Sequence, residues 1–304
     1  MYICPMNTNF RVHFNDVVYP KLRQLEQKRR RLVLYIILIV LFYIALMLFL
    51  LSLGMMPLIY MGIFAVALVY SSVVWLINKF RLQFKPVVLP LILEYINPDA
   101  VYYPFEYIPQ DTFNRSLLFG SNPLFYKGED YLRGYIGEVN FEFSELTVEH
   151  PYSYKSGNQT IFKGIFMHAT FREQFMGRII ILPRDDLQHQ TRAIKNITRE
   201  GGRQVSLDSE AFNNYFVAYA WTEFRAEHVI SPQLMAKMVE FRKVNKKRLH
   251  LSFVDGQIYI AITDKNDILE PRIFLRNDRY ETVEQYYIDF SALINLVVEF
   301  DLSV

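Results

Sequence analysis

The chain has 304 residues and a net charge of +2, and hydrophobic residues make up 52% of it. This hydrophobic share is high for a soluble protein and too low for one buried mostly in lipid. It predicts a membrane segment joined to a water-soluble region. The single cysteine, Cys4, excludes a disulfide framework within the chain, and we interpret it as an inert terminal residue.

The charges are distributed unevenly along the chain. Residues 1–31 contain seven basic and two acidic residues, residues 32–78 contain no Asp, Glu, Lys or Arg, and residues 79–85 add three basic ones. Against the overall +2, this leaves a net charge of −6 for the rest of the chain. Since phosphate neutralisation requires a basic face, we expect no nucleic-acid partner.

Two uncharged runs, residues 32–53 and 58–77, are 22 and 20 residues long. At a rise of 1.5 Å per residue, each can cross a hydrocarbon core about 30 Å thick. The connection runs from Gly54 to Pro57, and glycine can end a helix while proline can begin one. The pattern predicts an antiparallel transmembrane hairpin. The first run is too long for a signal peptide, and neither run has the polar face of a soluble helix.

The orientation of the hairpin follows from its flanks. The basic cluster Lys28–Arg31 precedes the first run, and Lys79, Arg81 and Lys85 follow the second. The connecting turn carries no charge, so the positive-inside rule predicts that both termini and the C-terminal domain are cytoplasmic. Because the runs contain no Asp, Glu, Lys, Arg or His, we interpret the hairpin as an anchor and not a pore. Ser71 and Ser72 are expected to bond their own helix backbone or to pack on the other helix.

The segment before the membrane, residues 10–32, has the spacing of an amphipathic helix that Pro20 interrupts or kinks. Two interpretations stand side by side. The helix lies on the anionic inner leaflet, or it packs on the C-terminal domain. After the hairpin, Lys85–Asn97 predicts a second amphipathic helix whose start is limited by Pro86 and Pro90.

The region after residue 111 predicts an antiparallel sheet with a few helices. Alternating or apolar strand patterns cover residues 133–149, 160–171, 177–182 and 216–221, with a hairpin turn at Arg172–Gly177 joining two of them. Asp208 and Ser209 predict a cap for a short turn, Ser231-Pro232 the start of a helix, and Asp255-Gly256 a hairpin. A last helix is expected over residues 282–301. Gly201 and Gly202 are interpreted as a plain turn, since no phosphate-loop pattern surrounds them.

The predicted fold class is therefore α+β. An N-terminal transmembrane α-hairpin is followed by a mainly antiparallel β domain with a few helices and a C-terminal helix. We divide the chain into four parts. These are a basic N-terminal segment (1–31), the hairpin (32–78), a linker with a juxtamembrane helix (79–111) and a cytoplasmic domain (112–304).

Several stretches resemble a bacterial family known as domain of unknown function 3137. They are Asp130–Leu146, Ile161–Gly164, Asp208–Phe212, Ser252–Tyr259 and Glu270-Pro271. The resemblance covers most of residues 110–304 and the preceding membrane helices. It implies a bacterial inner-membrane location, no assigned activity, and a LemA-type membrane protein as a partner.

Two functions are compatible with these features. The first is a membrane-anchored binding or scaffold module that contacts lipids and either protein partners or further copies of itself. The alternative is a membrane-bound hydrolase or transferase that uses acidic and histidine side chains. Its candidates are Glu138, Glu142, Glu145, His168 and Glu270. Solvated strand faces explain these glutamates more simply, so an enzyme is the less favoured hypothesis. The sequence contains no zinc or dinucleotide motif, and no metal or cofactor is expected.

One dense basic cluster stands out in the acidic region. Its members are Arg242, Lys243, Lys246, Lys247 and Arg248, at and just beyond the end of the helix that begins at Pro232. Such a cluster predicts contact with anionic lipid or with an acidic partner. The simpler alternative is a solvated helix end, where cations suit the helix dipole.

Overall fold

The computed structural model describes residues 8–54, 56–120, 123–153, 157–170, 177–221, 229–264, 270–271 and 273–301. Within these residues the chain forms two compact units. The helical unit contains residues up to 95 and residues 270–288, and the sheet unit contains residues 96–264 and 289–301.

The fold is α+β, as predicted. The helices are α1 (Thr8–His13), α2 (Tyr19–Ser52), α3 (Met56–Ile96), α4 (Gln110–Arg115), α5 (Thr191–Arg199), α6 (Glu210–Tyr215), α7 (Pro232–Asn245) and α8 (Tyr280–Asp301). The strands are β1 (Val101–Tyr103), β2 (Phe125–Ile136), β3 (Val139–Ser153), β4 (Gly157–Thr170), β5 (Arg178–Pro183), β6 (Gly202–Val205), β7 (Phe216–Trp221), β8 (Leu249–Val254) and β9 (Gln257–Thr263).

Helix α2 is longer than the apolar run it contains, because it begins well before residue 32. A π-helical segment, Phe14–Val18, joins α1 to α2, and the N–H of Tyr19 bonds to the carbonyl of Phe14. Pro20 therefore sits in the first turn of α2, directly after the π-helical segment. The predicted irregularity at Pro20 is present as this π-helical segment.

The apolar face of the N-terminal helix is covered by protein. Phe10 stacks on Tyr287 at 4.1 Å between ring centroids, and Phe14 meets the ring of Tyr280 edge-on. His13 Nε2 lies 2.9 Å from the carbonyl of Leu91 in α3. Of the two interpretations, the structure agrees with packing on protein. The residues that contact this face lie in α3 and at the start of α8, and α8 belongs to the C-terminal part of the chain.

The prediction that a helix starts near Pro86 or Pro90 is wrong. Helix α3 continues through both prolines from Met56 to Ile96. Each proline removes one backbone hydrogen bond, but they lie four residues apart and therefore on one side of the helix. That side is partly open, with Pro86 exposed, while Phe84, Val88 and Ile92 are buried on the other side.

The sheet unit is built on one antiparallel sheet. Its nine described strands have the order β1-β2-β3-β4-β9-β8-β5-β7-β6. The predicted hairpin at Asp255-Gly256 joins β8 to β9, and both turn residues have positive φ, as a type I′ turn requires. Ser209 and Ser231 cap α6 and α7 as predicted, each accepting a backbone N–H three residues on.

Two expectations about the strands are wrong. The stretches 160–171 and 177–182 form β4 and β5, but these do not pair, because β9 and β8 lie between them. Residues 172–176 of the predicted turn at Arg172–Gly177 lie outside the described residues. The stretch 133–149 is not one strand either, since it contains the turn between β2 and β3, where Gly137 has φ +60°.

A bulge in β2 changes which side chains share a face of the sheet. The pairing of β2 with β3 shifts between Glu129 and Leu132, and Asp130 has φ +59°. Asp130 is buried, and its carboxylate accepts a hydrogen bond from the hydroxyl of Tyr102. Because one residue is added, Tyr131 lies on the same face as Glu142 of β3.

Candidate functional site

Two helical stretches, Asn9–Ser52 and Ala65–Ile96, are long and apolar enough to cross a membrane. Only 6% of the most apolar part of each is buried within the protein. The two helices meet where the hydroxyl of Tyr43 donates to the carbonyl of Gly62 over 2.8 Å. A Cβ on Gly62 would collide with the side chain of Met47, and such close approach at glycine is common between membrane helices.

The serine pair in α3 bonds to its own helix, which is one of the two arrangements predicted for it. Ser71 Oγ donates to the carbonyl of Ala67 over 2.7 Å, and Ser72 Oγ to that of Leu68 over 2.8 Å. Both hydroxyls are thereby satisfied without a partner on another helix.

A cluster of ion pairs lies just before the first apolar run. The guanidinium of Arg29 binds both carboxylate oxygens of Glu26 at 2.7 Å, and its third nitrogen donates to the carbonyl of Ile273 over 2.7 Å. Burial raises the pKa of the Glu26 carboxyl, but the bonds from Arg29 and Arg30 outweigh burial and hold that pKa below its usual range. The Arg29 guanidinium therefore binds the chain around Ile273 to α2.

A second cluster lies just after the second apolar run. Glu270 Oε1 is 2.8 Å from Nζ of Lys85, whose side chain is 1% exposed. Glu270 Oε2 is 2.6 Å from Nε of Arg81, an ion pair whose atoms are not aligned as a hydrogen bond. We name the described residues 270–271 and 273–278, with these contacts, the clasp segment. It binds α3 through Glu270 and α2 through Ile273.

In the sheet unit, three polar side chains from adjacent strands form a row. Nε2 of His168 on β4 lies 3.2 Å from a carboxylate oxygen of Glu142 on β3. The bond from His168 outweighs burial and lowers the pKa of Glu142. Burial, with a hydrogen bond to Glu142, raises the pKa of Tyr131 to about 12. The row is partly exposed and could bind a polar ligand.

The other acidic candidates do not join this row. Glu138 is exposed in the turn between β2 and β3. Glu145 is buried on the opposite face of β3, three residues from Glu142. Glu270 belongs to the helical unit, where it pairs with Arg81 and Lys85. Of the five residues proposed for the enzyme, the sheet therefore brings together Glu142 and His168.

Most of the basic cluster at the end of α7 is paired within the sheet unit. Arg242 lies 2.7 Å from Asp185, Arg248 lies 2.8 Å from Asp186, and Lys247 lies 2.6 Å from Asp264. The remaining two members are exposed. Lys243 has its ammonium 5.9 Å from the ring centroid of Tyr215, and Lys246 ends α7 with φ +55°. Contact with anionic lipid stays a prediction that rests on these two lysines.

A buried pair that sequence analysis missed lies behind this cluster. His250 of β8 is fully buried, and its Nε2 lies 2.9 Å from Asp186 Oδ2. Gln190 donates to the same oxygen over 3.1 Å. Burial raises the pKa of Asp186, but the contacts with His250, Gln190 and Arg248 outweigh burial and lower it. Since 64 residues separate Asp186 from His250, no local pattern could have indicated the pair.

Two of the clefts in the described part of the sheet unit are large enough to hold a small ligand. One, of about 380 Å³, is lined by Leu117, Phe119, Gly120, Ala193, Asn114, Asn196, Ile197, Glu200 and Trp221. The other, of about 420 Å³, lies between α6 and α7. Neither is lined by Glu142 or His168, and among the described residues no three His, Cys, Asp or Glu side chains group as metal ligands.

Comparison with known proteins identifies a family for the C-terminal part. Residues 160–302 match the family model described as "Protein of unknown function (DUF3137)". No curated protein and no solved structure matches the chain. The stretch Asp130–Leu146, which also carried the resemblance, lies outside the matched residues. The match over residues 160–302 confirms the resemblance, and the chain carries a DUF3137 region whose family has no known function.

Proposed function

We propose that this chain is a membrane-anchored module. Its two apolar helices cross the bacterial inner membrane, and its α+β region binds or scaffolds partners on the cytoplasmic side. The observation that carries the proposal is the exposure of the apolar runs, of which only 6% is buried within the protein. Leaving two runs of about 20 apolar residues in water would be unfavourable by tens of kcal/mol at ~25 cal/mol per Å². A bilayer is the environment that fits them.

Two simpler explanations of the runs fit the structure less well. A core helix of a soluble protein would be mostly buried, whereas residues such as Phe42 and Leu68 are each 71% exposed. A cleaved signal sequence would be dispensable for the fold. Here, helix α2 supplies Leu22, Leu25 and Arg29 to the packing of the helical unit, so its removal would expose the clasp segment.

The orientation of the anchor is supported by its charges. Both ends that carry the basic clusters, Lys28–Arg31 and Lys79–Lys85, would face the cytoplasm, while the turn at Leu53-Gly54 would face the periplasm. The hydrogen bond from Arg29 to the Ile273 carbonyl and the ion pair between Lys85 and Glu270 support this assignment, since they join both cationic ends to the same clasp segment. The DUF3137 region would then lie on the cytoplasmic side.

A binding role is favoured over catalysis by the cleft at Trp221, whereas the cleft between α6 and α7 is lined by Asp208, Glu240 and Lys243 and is the place left for an enzyme site. The cleft at Trp221 has one titratable lining residue, Glu200, which already pairs with Arg178 at 3.3 Å. The row of Tyr131, Glu142 and His168 lines neither cleft. A hydrolase or transferase would require an acid and a base that converge on a pocket. The partner is expected to be a protein, either a LemA-type membrane protein, as the resemblance implies, or another copy of the chain.

The experiment that tests this proposal is a pull-down from washed membranes. The full chain should stay in the membrane pellet after an alkaline wash, because lipid burial, unlike surface charge, is insensitive to pH. After cross-linking and detergent extraction, it should co-purify with a protein partner or with itself. Release with peripheral proteins would contradict the anchor, and recovery as an uncross-linked monomer would contradict the scaffold.

A further inference from the structure

The clasp segment crosses the helical unit next to the proposed membrane surface. Its carboxylate at Glu270 binds Arg81, which follows Ile77, the last residue of the second run, by four positions. Its carbonyl at Ile273 binds Arg29, which precedes the first run by three positions. At 1.5 Å per residue, both contacts lie about 5–6 Å along the helix from an apolar run.

Two large apolar side chains project from this position. Phe274 is 69% exposed and Leu275 is 57% exposed, although the preceding Ile273 is buried. Single exposed hydrophobic residues are common on protein surfaces. An adjacent Phe-Leu pair, held beside the ends of two apolar runs, is placed where a bilayer would cover it.

The charges around the pair match an anionic lipid surface. Arg276 follows it directly, with a side chain 49% exposed that pairs with Asp278 at 2.8 Å. Arg30, whose side chain is 63% exposed, and Arg31 lie one and two residues after Arg29. An apolar tip flanked by arginines is the arrangement by which interfacial segments bind lipid, since the apolar groups enter the headgroup boundary and the cations contact phosphates.

We propose that Phe274 and Leu275 insert into the headgroup boundary of the cytoplasmic leaflet, as a third membrane contact beside the two spanning helices. This inference rests on the proposed function, because the membrane face is defined by the apolar runs. The contact would hold the clasp segment, and with it the start of α8, against the leaflet. Burial of both apolar side chains in the headgroup boundary would strengthen membrane attachment.

The test measures lipid contact at single labelled cysteines in the full chain. With Cys4→Ser as background, an environment-sensitive fluorophore is attached at Phe274→Cys or Leu275→Cys. The protein is reconstituted in vesicles of phosphatidylcholine and phosphatidylglycerol. Phe42→Cys, within the first apolar run, is the membrane control, and Val244→Cys, 41% exposed on α7, is the aqueous control. The aqueous control also carries Lys243→Gln and Lys246→Gln, so that the basic cluster does not draw it to anionic lipid.

We expect lipids spin-labelled near the headgroup to quench the fluorescence at 274 and 275 several-fold more than at 244. Iodide in the water should quench the fluorophore at residue 244 most. Lipid that is spin-labelled deep in its acyl chain should quench the fluorophore at residue 42 most. If 42 is quenched by lipid while 274 and 275 respond like 244, the third contact is refuted and the anchor stands. If 42 is itself quenched by iodide and not by lipid, both the anchor and the third contact are refuted.

Discussion

Replacing Glu270 with alanine is expected to destabilise the chain by about 3–5 kcal/mol. The carboxylate faces two cations, Lys85 at 2.8 Å and Arg81 at 2.6 Å, and the Lys85 side chain is 1% exposed. Breaking a buried pair by removing one partner is costly, because the desolvated ammonium of Lys85 loses the attraction of this carboxylate. Here the loss affects two cations together. The measurement is denaturant unfolding of the full chain in detergent micelles.

Replacing Lys85 should lower the free energy of unfolding by less than replacing Glu270 does. The difference between the two variants therefore tests the buried ion pair. In Lys85→Met the carboxylate keeps Arg81, and the methionine fills the volume that the lysine stem occupied, so we expect a loss of about 1–2 kcal/mol. Glu200→Ala is the matched control, since Glu200 and Arg178 form an ion pair whose side chains are 43% and 39% exposed. Its loss should stay below about 1 kcal/mol. Equal effects of Glu270→Ala and Glu200→Ala would refute a structural role of the clasp.

Replacing Asp186 with alanine is expected to cost about 2–4 kcal/mol near neutral pH. The carboxylate is the partner of buried His250, of Gln190, of Arg248 and of exposed His189, so four polar groups lose it together. Asp185→Ala is the matched control. Asp185 is half-exposed and pairs with Arg242 at 2.7 Å, and its removal should cost less than about 1 kcal/mol.

The effect of Asp186→Ala should depend on pH in a defined direction. The folded-state pKa of Asp186 is lowered, so the unfolded chain binds the proton more readily than the folded chain does. Its contribution to stability is therefore complete above the unfolded pKa of about 3.9 and is lost as pH falls through the lower folded pKa. Unfolding curves of wild type and variant should converge in acid below about pH 4. A difference that stays undiminished as the pH falls from about 4 to about 2 would contradict a stabilising contribution from the ionised Asp186 carboxylate.

Sequence analysis correctly predicted the helix caps and the hairpin turn, because each depends on contacts between residues that are close in the chain. Ser209 and Ser231 cap their helices because a side-chain oxygen needs only an N–H three residues away. Asp255-Gly256 forms its turn because both residues accept positive φ. These features involve contacts between near neighbours in the chain, so the sequence contains them directly.

The features that sequence analysis missed depend on contacts between distant residues. Strands β4 and β5 are neighbours in sequence, and nothing in their alternation indicated that β8 and β9 would separate them. The bulge at Asp130, which sets the face of Tyr131, follows from pairing with β3. Lys85 offered a signal that could have been used. It lies in an apolar stripe with Leu89 and Ile92, and a lysine there requires a buried acidic partner.

The central claim is that two spanning helices hold the DUF3137 region at the cytoplasmic face. It is tested most directly by cysteine accessibility in intact bacterial cells. In a Cys4→Ser background, single cysteines are placed at Leu53, 55% exposed at the turn between the spans, and at Val244 on α7. A membrane-impermeant maleimide should label Leu53→Cys in intact cells and Val244→Cys only after the membrane is permeabilised. Labelling of Val244→Cys in intact cells, with Leu53→Cys protected, would contradict the account.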